Sequence, residues 1–190
     1  MNKPFDRAVA ALSRIFEIGL FAVSAIITIL AILTLVMSER LIEFLQSQPV
    51  TYSTYLPGLN VTISGENAAL IPKALFIMLL AAAATWFLSA LIFRNVNLIL
   101  RTSMGKTDFS IGPTPFQPVI VRMIKEIGIL SIIITVVYFI AYCLEKAFYG
   151  NVVSGMSIPF SAAAFGVIII CLSRVFAYGM ELQQDVDGLV

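Results

Sequence analysis

Residues 94–126 read RNVNLILRTSMGKTDFSIGPTPFQPVIVRMIKE. Arg94, Arg101, Lys106, Arg122 and Lys125 are basic here, and only Asp108 and Glu126 oppose them. A long uncharged apolar run precedes the stretch and others follow it. A short basic loop between apolar segments stays on the cytoplasmic side of a bilayer. This stretch therefore sets the direction of every other segment. Gly105, Gly112, Pro113, Pro115 and Pro118 interrupt helix repeatedly, so residues 96–118 read as a cytoplasmic loop, with Pro118 opening the next helix.

Working outward, four segments are apolar and long enough to cross a membrane, at about 16–38, 72–95, 120–146 and 157–178. The first resembles a signal sequence, with Lys3, Arg7 and Arg14 before it. Its uncharged core, 18–37, is longer than a signal core, and Ser38-Glu39-Arg40 is not a small-x-small cleavage site, so it reads as an uncleaved span. Leu41, Ile42 and Leu45 keep a helical period beyond it, so the helix is expected to protrude or to bend onto the surface. Pro72 opens the second span, whose Ala81, Ala82, Ala83, Ala84 and Ser89 are small enough for close helix contact. Ser157 and Pro159 start the fourth, where Ala162 and Gly166 form a small-xxx-small pair.

The outer loop, 47–70, alternates at Val50, Tyr52, Thr54 and Leu56 and resumes at Val61 and Ile63. Leu56-Pro57-Gly58-Leu59 fits a type II turn. A small extracytoplasmic hairpin is expected there. Arg40, Lys73 and Lys146 are the basic residues on that side, against Lys3, Arg7, Arg14, Arg94, Arg101, Lys106, Arg122, Lys125 and Arg174 on the other. Both termini are thus expected in the cytoplasm, with the tail at 179–190. The fold class that follows is an all-α membrane protein, a four-transmembrane-helix up-down-up-down bundle with that hairpin between helices one and two, in a single domain.

Composition agrees. The 190 residues are 59% hydrophobic and 12% charged, about half the charged share of a soluble domain. Histidine is absent, which removes the usual metal ligand and the usual general base near neutral pH. No nucleophile–base spacing and no phosphate loop occurs in the sequence, so an enzyme is not expected and no cofactor or metal is implied. Cys143 and Cys171 fall near opposite ends of neighbouring spans, roughly 20 Å apart along the normal at 1.5 Å per residue, and read as free thiols.

Several short stretches together carry a family likeness. They are Gly105-Lys106-Thr107-Asp108-Phe109 in the inner loop, Ile127-Gly128 at the third span, and Phe176-Ala177-Tyr178-Gly179-Met180-Glu181-Leu182-Gln183 with Asp185 and Asp187 after it. On these residues the chain resembles the small four-helix bacterial membrane proteins classed as domain of unknown function 2975. Members commonly end Asp-x-Thr-Val, whereas this chain ends Asp187-Gly188-Leu189-Val190. The resemblance implies a bacterial four-helix protein without an established activity. It also implies a gene often placed beside one for a small helix-turn-helix regulator.

Two candidate sites follow from the residues. Glu17 and Arg174 lie at the inner edges of spans one and four, at a depth where an ion pair could form. No ionisable residue falls at the middle of a span, which argues against ion-coupled transport. The second site is a cytoplasmic interaction surface of Arg101, Lys106, Phe109, Arg122, Lys125, Leu182, Asp185 and Asp187. There the tail extends span four and is expected to dock on the loop through Phe109, Ile111 and Phe116. The leading expectation is a non-enzymatic regulatory or sensory module of the plasma membrane. Its expected partners are the lipid bilayer, a cytosolic regulator protein and a second copy of the chain, with no direct nucleic-acid contact. The alternative is a small-molecule permease or exporter subunit.

Overall fold

The computed structural model describes residues 3–46, 52–56, 59–63, 69–110, 114, 116–149 and 158–187. Helix α1 spans Lys3–Val36 and α2 spans Ser38–Gln46. Strands β1 (Tyr52–Leu56) and β2 (Leu59–Ile63) pair antiparallel, with Tyr52 opposite Ile63 and Leu56 opposite Leu59. Helices α3 (Ile71–Ser103), α4 (Pro118–Tyr149) and α5 (Phe160–Asp187) complete the described elements. The expected turn at Pro57-Gly58, the breakers Gly112, Pro113 and Pro115, and the cap at Ser157 lie outside the described residues.

Among the described residues, four helices are long and apolar enough to cross a membrane: α1, α3, α4 and α5. They outrun the expected spans. The 33 residues of α3 reach about 50 Å at 1.5 Å per residue, against a hydrocarbon core of about 30 Å. A charged residue such as Arg94 marks the edge of an apolar run, but it does not end a helix whose backbone bonds continue. The sequence allows the first helix to protrude or to bend beyond its span, and two helices follow one another there. Met37 forms a turn between α1 and α2, while its N–H still donates to the Leu33 carbonyl at 2.9 Å.

The chain divides into two compact units. One comprises Ala22–Trp86 and Ile134–Phe160. Its core is Ala74, Met78, Ala81, Ala82 and Ala141, with Ile27, Val137, Tyr138 and Tyr142 packed around them. The small side chains let backbones approach, and Ser24 Oγ donates to the Ala83 carbonyl at 2.9 Å across that gap. Leu41 and Ile42 of α2 pack against Ile71. Glu145 is buried, and its Oε1 has no hydrogen-bond partner among the described residues.

The other unit comprises Met1–Phe21, Phe87–Ile133 and Ser161–Val190. Ser13 Oγ donates to the Phe93 carbonyl at 3.0 Å, and Phe16 stacks on Phe93 with centroids 5.2 Å apart. Here α4 and α5 meet at two glycines. A Cβ on Gly166 would lie 2.6 Å from the Gly128 carbonyl oxygen, and one on Gly128 would lie 2.7 Å from that of Gly166. No side chain fits between such backbones, so glycine is required at both positions. The sequence points to Gly166 with Ala162; the residue that meets Gly166 is Gly128.

Large apolar side chains cover the outside of these helices. Ile15, Ile18, Ile32, Phe165, Ile168 and Val175 are all exposed. That inversion of a soluble protein's pattern is what a lipid solvent allows.

Candidate functional site

The basic stretch is organised by the end of α3. Gly105 has a φ of 71°. Its N–H donates to the Thr102 carbonyl and the N–H of Lys106 donates to the Arg101 carbonyl, each at 2.9 Å. These are the two bonds of a Schellman cap, in which a glycine in the left-handed region stops the helix and turns the chain back. The loop then folds around Thr102, which is fully buried. Thr107 Oγ1 donates to Thr102 Oγ1 at 3.1 Å, and Ser110 Oγ donates to the Thr102 carbonyl at 3.1 Å.

The start of α4 is fixed from the other side. The buried Gln117 accepts at its carbonyl from the N–H groups of Ile120 and Val121, so it caps the helix and Pro118 takes the first turn. Its Nε2 donates to the Thr114 carbonyl at 2.8 Å. This holds Phe116 against α5, with its ring centroid 6.1 Å from that of Phe176. A Cβ on Gly179 would come within 2.7 Å of the Phe116 ring. Thr114 Oγ1 lies 3.5 Å from Gln183 Oε1, at the limit of a hydrogen bond.

The tail therefore meets the loop through Phe116, Phe176 and Gly179. Phe109 and Leu182, both expected in that contact, are exposed. Asp185 is exposed and makes no ion pair among the described residues. Asp187 ends α5, and its side chain lies outside the described residues, as does Ile111. Lys125 is exposed on α4.

The expected pairing of Glu17 with Arg174 does not form. Glu17 is buried and accepts at Oε1 from Arg14 Nη1 at 2.7 Å, one turn back on α1, while Arg174 is exposed. A partner three residues away costs less side-chain ordering than one on another helix, so the local pair wins.

The remaining cations divide between two cavities. Arg94, Asn95, Phe109, Arg122 and Glu126 line one of about 330 Å³. Within it Arg122 Nε donates to Glu126 Oε1 at 2.9 Å, and Asn95 Nδ2 lies 3.4 Å from Glu126 Oε2. Arg14, Asn97, Arg101 and Lys106 line the other, of about 340 Å³. Arg101 and Lys106 are thus brought together, and Phe109 and Arg122 are brought together, on separate cavities. Asn97 and Gln117 belong to no motif and are not among the residues expected from sequence. For Asn97 the available signal is an amide two residues after Asn95 and one turn before a basic residue.

Among the described residues no three of Cys, Asp and Glu converge as metal ligands. Cys143 and Cys171 are free. Compared with known proteins, the chain matches no family model, no curated protein and no solved structure.

Proposed function

We propose that this chain is a plasma-membrane protein with both termini in the cytoplasm, its four long helices crossing up, down, up and down. In this reading it is a non-enzymatic regulatory module that presents the loop after α3 and the end of α5 to a cytosolic protein. The resemblance to the four-helix family belongs to the same proposal. The observation that carries it is the seating of Phe116 on Gly179 beside Phe176, which joins loop and tail into one surface. The asymmetry of Lys and Arg supports the orientation. The permease alternative has less support, because Ser24, Thr28, Thr85, Ser131 and Ser173 spend their hydroxyls on backbone carbonyls.

A photo-crosslinking residue at Leu182 or Phe109, both exposed, tests the reading in cells. The expected result is a discrete adduct with a soluble protein, altered by Gly179→Leu. Adducts with lipid alone at both positions overturn it. Orientation is checked with cysteines at Thr54 and Thr107: an impermeant thiol reagent should label the first in intact cells and spare the second.

A further inference from the structure

The cavity between α1 and the end of α3 has the chemistry of an anion site. Arg14, Arg101 and Lys106 line it together with Asn97, and no carboxylate is among the lining residues. Asn97 is only 4% exposed. Among the described residues its amide has no hydrogen-bond partner. Its amide is not among the polar groups sealed from solvent, so in this polar cavity it is open to a ligand or ordered water.

The cations are also placed rather than scattered. The Schellman turn at Gly105 folds Lys106 back over the last turn of α3, beside Arg101. Glu17 accepts from Arg14 and restrains its guanidinium. Arginine and lysine around an amide donor match the oxygens of a phosphate group, and charge-assisted bonds to it are the strong class. Basic pockets at the edge of membrane helices take anionic head groups in the same way.

We propose that Arg14, Asn97, Arg101 and Lys106 form a binding site for a phosphate monoester, carried either by a lipid head group or by a soluble phosphate. The site is built on α1, the end of α3 and Lys106 just after it; it shares the loop after α3 with the regulatory reading, but not the contact with α5 on which that reading rests.

The test uses the whole 190-residue chain in phosphatidylcholine nanodiscs containing a small fraction of phosphatidic acid, with retained lipid read by native mass spectrometry. Inorganic phosphate is titrated separately. Saturable retention of phosphatidic acid is expected, weakened about tenfold by Arg101→Gln or Lys106→Gln. Asn97→Leu should weaken it as well, and Lys73→Gln, in the other unit, should not. Inorganic phosphate that displaces the lipid, or that binds without it, identifies a soluble phosphate as the ligand; lipid retention without competition identifies the head group. If neither probe binds, or if Arg101→Gln with Lys106→Gln leaves binding unchanged, the site does not exist. Arg101 and Lys106 are both exposed, so these variants keep the fold even where Asn97→Leu does not.

Discussion

The unit of Ala22–Trp86 and Ile134–Phe160 holds Arg40, Lys73 and Lys146; the unit of Met1–Phe21, Phe87–Ile133 and Ser161–Val190 holds the other nine basic residues. Their packing differs as well. Among the described residues, the first is knit by alanines and the Ser24–Ala83 hydroxyl bond, and the second by a glycine–glycine crossing, the Ser13–Phe93 hydroxyl bond and the caps at either end of the loop after α3. The loop after α3 is held by a cap on each side, whereas the alanine core of the first unit packs through small side chains.

The largest effect is expected at the glycine crossing of the second unit. Gly166→Leu should cost about 3 kcal/mol, because the new side chain meets the Gly128 backbone and Ile132. Gly19→Leu, with nothing within 4 Å of its Cβ, should cost little. Thermal unfolding in detergent measures both, and equal stability of the two variants would mean that the crossing does not hold its unit together.

A smaller effect is expected at the cap. Gly105→Ala forces a Cβ into the left-handed region at about 1–2 kcal/mol, with faster hydrogen exchange of the loop. Unaltered exchange would mean that the cap does not hold the loop. In the alanine-packed unit, Ser24→Ala should cost about 0.6 kcal/mol, the usual worth of one hydrogen bond between membrane helices. A much larger loss would make that unit as dependent on polar contacts as the other. Smallest of all, Arg122→Gln should change stability by about 0.2–1 kcal/mol in the same unfolding measurement, since its pair with Glu126 is exposed.

Much of the fold is legible in the sequence because apolar run length and helix punctuation are local signals. Pro118 opens α4 and Gly105 closes α3 through chemistry contained in a few residues. Choice of partner is less legible. Glu17 has both Arg14 and Arg174 available, and the chain alone does not rank them. The loop offers Phe109 and Phe116 to the tail, and the bonds from Gln117 Nε2 to the Thr114 carbonyl and from the Phe116 N–H to Thr114 Oγ1 favour Phe116. Leu182, expected at that contact, is more exposed than Phe116, so Leu182→Asp should loosen the tail less than Gly179→Leu does.

The glycine crossing also acts as a fulcrum. Gly166 is pinned against α4, and Gly179 lies 13 residues further along the same helix, an arm of about 20 Å at 1.5 Å per residue. A tilt of about 5° there would swing Gly179 by roughly 1.7 Å on an arm of that length, away from the Phe116 ring that a Cβ at Gly179 would meet. A tilt of α5 about that crossing would therefore shift Gly179 relative to Phe116.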